Sequence, residues 1–274
     1  MTTLFEAVLE AAGITLEQSI VERGSRGCAI GVPAGGGRAL VTVVGPTVPA
    51  DAMRVHPGWD LGVGSIDLVE TLNGPRTILL ESLPVGIPSV AAEGPARPAG
   101  VRAEGGAPAY VVAAAGRVVQ AHERGETVGW LHPALVFMDP RSGALVAIAQ
   151  RPLRVGAAAP GGEGDPPLFG LAYSAPSDVR NRPSTVADDI HRLAALVWRW
   201  RHGVPPFDGL SELAHLQRLA GVPTGAGDPP VAASIDAASD PLDLALARAL
   251  RPDARDRPSA AHIVSLIRSA GPDW

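Results

Sequence analysis

Lysine is absent from this 274-residue chain, and all 23 basic residues are arginines. No reaction here can therefore depend on a lysine ammonium. Cysteine is nearly absent as well. The single Cys28 excludes an internal disulfide and a multi-cysteine zinc site. It sits in an apolar, strand-like run, which reads as a small core residue. No apolar run reaches the roughly 18 residues of a membrane span, and no basic stretch followed by an apolar one opens the chain. The expected compartment is the cytoplasm. Excess positive charge is missing too: a formal charge of −5 gives no electrostatic reason to bind nucleic acid or an anionic membrane. What is present is an apolar share of 46% against 19% charged, the balance of a folded protein with a substantial core.

The first third reads as a short helix followed by strands. Residues 2–12 have helical spacing, with Leu4, Phe5, Val8 and Leu9 on one face. Short apolar runs bounded by turn residues follow at 19–21, 28–32, 39–44, 66–71 and 77–83. Asn73-Gly74 between the last two marks a hairpin, because both residues tolerate positive φ. Residues 93–109 are rich in Gly, Pro and Ala and have no period, as in a linker. Beyond them, apolar positions at helical spacing predict helices over 107–125, 186–201, 211–219, 242–250 and 259–267.

Four short motifs punctuate the helical part: Tyr173-Ser-Ala-Pro-Ser177, Ala187-Asp-Asp-Ile-His-Arg-Leu193, Gly203-Val-Pro-Pro-Phe207 and Arg255-Asp-Arg-Pro-Ser259. In order and spacing they resemble the C-terminal lobe of a protein kinase, most nearly a degenerate bacterial Ser/Thr kinase-like pseudokinase. The matching family signatures are the Ala-Pro-Glu that closes the activation segment, the buried Asp of the central helix, the Gly-x-Pro-Pro-Phe at that helix's exit, and the final Arg-Pro-Ser. The resemblance implies an α+β, bilobal protein-kinase-like fold. Residues 1–90 would form an N-lobe of a short helix and a small antiparallel sheet, with its αC helix reduced or missing. Residues 91–274 would form a mostly helical C-lobe.

The same register shows what the chain lacks as a catalyst. Glu22-Arg-Gly-Ser-Arg-Gly-Cys28 falls at the glycine-rich loop but keeps only Gly24 and Gly27, which a plain hairpin also explains. Thr42 stands at the strand lysine. The glutamate that would pair with it is gone, since no Glu occurs between Arg23 and Val69. In the catalytic loop, Trp130 takes the place of the aspartate, His132 of the lysine and Leu135 of the metal-binding asparagine. Ala149 takes the place of the second metal-binding aspartate. A proton on His132 near neutral pH is the one partial substitute for the missing charge. Phosphoryl transfer asks a protein chiefly to position phosphates and neutralise their charge through Mg²⁺, which needs oxygen ligands. Trp130, Leu135 and Ala149 provide none, so neither a cofactor nor ATP with Mg²⁺ is expected.

The scaffold positions remain. By resemblance, Asp189 accepts hydrogen bonds from the backbone around residues 128–130, while its neighbour Asp188 faces solvent. Pro176 keeps its place in the activation-segment motif. Arg257 has lost its usual glutamate to Ser177 and would need Asp178 or Asp256 instead. With catalysis gone, the expected function is that of a scaffold or allosteric regulator for a protein partner. Trp198 and Trp200, beside arginines, are candidate interface anchors, together with residues 210–219. Two further readings stay open: a sensor holding a nucleotide or other small ligand in the interlobe cleft without metal, and an unorthodox transferase.

Overall fold

The computed structural model describes residues 2–23, 26–44, 53–54, 63–71, 74–83, 107–129, 131–138, 145–148, 153–154, 171–180, 182, 184–222, 240–255 and 257–270. Within them the chain is α+β, an antiparallel sheet with one helix against it and a larger set of helices.

Helix α1 (Leu4–Ala11) opens with a reciprocal cap. The Thr3 hydroxyl accepts from the Glu6 amide, and the Glu6 carboxylate accepts from the Thr3 amide at 2.7 Å. Gly13, at φ 67°, then turns the chain into β1 (Ile14–Arg23). With β2 (Arg26–Pro33), β3 (Ala39–Val44), β5 (Val63–Thr71) and β6 (Gly74–Ser82) it forms a five-stranded sheet, ordered β1-β2-β3-β6-β5 and antiparallel throughout. Thr71 pairs with Gly74, so the strands flanking residue 73 do close a hairpin; Asn73 itself lies outside the described residues.

Both faces of β2 and β3 are covered. Phe5, Val8 and Leu9 of α1 pack with Ala29, Val41, Val43 and Ile78. Leu4, expected on that face, is 55% exposed. A Cβ on Gly27 would come within 2.5 Å of the Phe5 ring, so glycine at this position makes room for α1. Cys28, Ile30, Leu40 and Thr42 point to the opposite face by the two-residue alternation of a strand, and all four are buried.

Between β3 and β5 the described residues include no helix. They hold only β4 (Met53–Arg54), which pairs with β9 (Leu153–Arg154) far along the chain.

The helical part follows. It comprises α2 (Ala109–Glu123), a 3-10 turn (Pro133–Leu135), a hairpin of β7 (Val136–Met138) and β8 (Leu145–Ile148), and α3 (Pro176–Val179). Then come α4 (Val186–His202), α5 (Glu212–Leu219), α6 (Pro241–Ala249) and α7 (Ala260–Ser269). Their core gathers Val111, Ala114 and Val118 of α2, Leu193, Leu196 and Val197 of α4, Leu246 of α6 and Ile263 of α7. Each of the valine, leucine and isoleucine side chains contributes roughly 1.5–3 kcal/mol by leaving water.

The central element is α4. Every residue from Asp188 to Trp198 is buried, so the helix is enclosed on all sides. Gly203 ends it in the left-handed conformation at φ 76°. Phe207 then takes an uncommon φ of 64° for a bulky residue. It is held there by burial, by the edge of His215 at 5.4 Å and by the Arg218 guanidinium 4.3 Å above its ring. None of the described helices is long and apolar enough to cross a membrane.

Candidate functional site

The most constrained polar site lies where α4 begins. Thr185 is its N-cap, and the Asp188 carboxylate turns back to accept from the Thr185 amide at 2.9 Å and its hydroxyl at 2.7 Å. This corrects the expectation that Asp188 faces solvent: it is 5% exposed, because a third-position acid satisfies the helix terminus by folding back on it. Asp189 is fully buried. Its two oxygens accept from consecutive amides, Val128 at 2.6 Å and Gly129 at 2.8 Å, and His122 Nε2 lies 3.0 Å from the same carboxylate. Consecutive N–H groups converging on one anion form a small nest. Gly129 supports it at φ 78°, a backbone conformation costly for other residues.

One turn of helix further on, Arg192 is 1% exposed. It donates to Asp178 at 2.8 Å and to Ser184 at 2.8 Å, and stands 3.5 Å from Asp189. The acid–base pairing anticipated between Arg257 and Asp178 or Asp256 is therefore corrected in part: Asp178 pairs with Arg192. Asp256 lies outside the described residues. Arg257 donates instead to the carbonyls of Ala187 at 2.6 Å and Arg251 at 2.9 Å, with Asp188 at 3.9 Å. Pro176 is buried at the first position of α3.

The degenerate counterparts of the kinase catalytic positions differ in surroundings. Thr42 is buried on β3, where its hydroxyl donates to the Cys28 sulfur at 3.7 Å. Leu135 is buried at the end of the 3-10 turn. Trp130 and Ala149 lie outside the described residues. His132 packs edge-on against the Tyr173 ring with centroids 4.6 Å apart. Burial first, and the Arg199 charge second, hold its pKa down to about 3. This overturns the expectation of a protonated imidazole near neutral pH. Buried away from water, His132 is neutral and supplies no charge to a phosphate.

A depressed histidine pKa has a signed consequence for stability. His215 on α5 is also lowered, to about 4, by burial and by Arg218. Between the unfolded value near 6.5 and these folded values, the unfolded chain binds more protons than the native one. Stability is thus present in full above about pH 6.5 and falls as pH drops through this window, by about 1.4 kcal/mol per pH unit for each histidine. Urea midpoints from pH 7 to pH 4.5 should decline accordingly, and His132→Phe should shallow the slope; an unchanged slope would contradict the burial of a neutral imidazole.

Trp198 and Trp200 need a correction as well. Each is only 5% exposed, and both belong to the helical core, with Trp198 stacked on His202 at 4.0 Å. They cannot serve as side-chain anchors on a surface, because α4 is covered on every side. Among the described apolar side chains, Leu213 of α5 is 65% exposed and Val222 49%. The segment 210–219 keeps its outward side where the two tryptophans do not.

With this geometry in view, comparison with known proteins adds no relative: no protein-family model matches the chain, and no curated protein matches it.

Three groups of this site were not singled out from the sequence. His122 lies in none of the four motifs and Arg192 was given no role within its motif, although it lies three residues after Asp189 on one helix, a spacing that brings side chains together. The third group fixes the far end of α4. Arg201 Nε donates to Asp243 at 2.6 Å, its Nη2 to Asp240, and His202 Nε2 lies 3.3 Å from Asp243. Asp240 also caps α6. The Asp240-Pro241 pair before an apolar run carried that cap signal in the sequence. Among the described residues, no group of three or more His, Cys, Asp or Glu side chains is placed to hold a metal ion.

Proposed function

We propose that this chain is a catalytically inactive protein-kinase-like module that works by engaging a protein partner. The reading takes residues 1–90 and 91–274 as the N-lobe and C-lobe of a bilobal fold. One observation carries it: a fully buried carboxylate, Asp189, near the start of the central helix grips the amides of Val128 and Gly129, the two residues before Trp130. The residue that follows this held pair in sequence is a tryptophan, which cannot accept a proton. The support continues around it. Thr42 and Leu135 are buried without charge, His132 is neutral, and the chain has no lysine. Phosphoryl transfer would need two metal ions or an equivalent charge, and one neutral imidazole is no replacement.

A scaffold acts through surfaces, and the exposure of Leu213 and Val222 supports an apolar one around α5. The closed face of Cys28, Ile30, Leu40 and Thr42 weighs against a ligand seated under the sheet, the alternative reading. Incubation with γ-labelled ATP, Mg²⁺ or Mn²⁺ and a general protein acceptor tests the proposal. No label should enter acceptor or protein above a heat-denatured control. Time-dependent transfer by the native chain would overturn the reading.

A further inference from the structure

Two polar contacts tie separate segments to the same turn of α4, and together they make a device that neither residue pattern announces. We infer that Asp178 and Arg192 form a latch that fixes α3 and Ser184 against α4 in a single position. Asp178 uses both oxygens: Oδ2 accepts from the Ala175 amide at 2.7 Å and Oδ1 from Arg192 Nη2 at 2.8 Å. Arg192 in turn reaches Ser184 through Nη1 at 2.8 Å. The guanidinium therefore bridges both sides of the residues between 178 and 184. Its other neighbour is Asp189, 3.5 Å away, which holds Val128 and Gly129. One turn of helix thus grips two segments that lie some 50 residues apart in sequence, from Val128 and Gly129 to Asp178.

The burial sets the strength of this latch. The Arg192 side chain is 1% exposed and that of Asp178 8%, so neither is screened as a surface pair would be. Opening it would leave a buried guanidinium and carboxylate short of partners, which is far costlier than breaking an exposed pair. Ser177, next to Asp178, is buried as well and accepts from the Arg182 amide through its carbonyl at 2.9 Å. The latch stands on these distances alone and would hold in any family. Read with the proposed function, it means the surface beside α3 and α5 is preformed for its partner, with little ordering cost on binding.

Hydrogen exchange measured by mass spectrometry on the full chain tests the latch. In Asp178→Asn and in Arg192→Met, amides of 172–180 should exchange at least about tenfold faster, because a charge-assisted buried contact is lost. Amides of β2 and β3 should keep their rates. The double variant should accelerate exchange by clearly less than the product of the two single effects, as expected when the residues share a contact. Equal acceleration in β2 and β3, additive single effects, or unchanged exchange at 172–180 would each overturn the latch. Asp178→Asn keeps the side-chain volume and carries the test if Arg192→Met does not fold. Kinase-like inactivity is read by the labelling experiment, so the two conclusions fail separately.

Discussion

Asp189→Ala is expected to lower the stability of the chain by about 3–5 kcal/mol, the range for removing one partner from a buried charged site. Asp189 has no exposed surface, so water cannot replace it without opening the core. The substitution strands the amides of Val128 and Gly129 and the His122 ring nitrogen together. Each buried donor left without an acceptor costs about 1–3 kcal/mol. Asp189→Asn keeps one oxygen as acceptor and should cost less than the alanine. Urea unfolding at neutral pH measures both. A loss below about 1 kcal/mol for the alanine variant would mean that the 128–129 loop is held by something else.

Arg201→Met should have an effect of similar size, about 3–5 kcal/mol, at the opposite end of α4. The methionine keeps much of the apolar stem but leaves Asp243, which is 3% exposed, without its closest donor. Asp240 loses its arginine as well, while its cap on α6 remains. The effect should also depend on acid. Burial pushes the Asp243 carboxyl up, but the His202 hydrogen bond and the charge and hydrogen bond of Arg201 outweigh it, and the net pKa lies below the usual value. A carboxylate depressed in the folded state contributes stability that is present above its unfolded pKa and lost as pH falls through the folded one. The variant should therefore show both a lower urea midpoint at pH 7 and a smaller further loss below pH 4. A midpoint equal to that of the parent chain would contradict the clamp.

The parts of this molecule legible in its sequence are those with local causes. Strands β2 and β3 announce themselves by apolar runs between glycines, and α1 by its spacing. Gly203 marks the end of α4 because a helix that stops there needs positive φ. Trp198 and Trp200 show where local reasoning fails. Two residues apart on a helix, they point in different directions, and an amphipathic reading leaves one of them outside. The helix is instead enclosed on all sides, which depends on how many neighbours pack around it and not on its own period. Asp188 was misread for a related reason: an acid in the first helical turn can bend back to the cap, and only the backbone decides. Arg192 and Asp178 meet across 14 residues that contain no pattern linking them. The charge of His132 hangs on its burial against Tyr173, which no residue spacing encodes.

The proposed function rests on a scaffold kept around Asp189 while the kinase positions for a metal–nucleotide complex are lost. Thermal unfolding with millimolar ATP, with and without Mg²⁺ or Mn²⁺, tests it most directly, since a ligand that binds only the native state must raise the midpoint. The predicted result is the same midpoint in all conditions. A rise that requires the metal would contradict the account, place oxygen ligands where Leu135 and Ala149 are assigned, and reopen the question of catalysis.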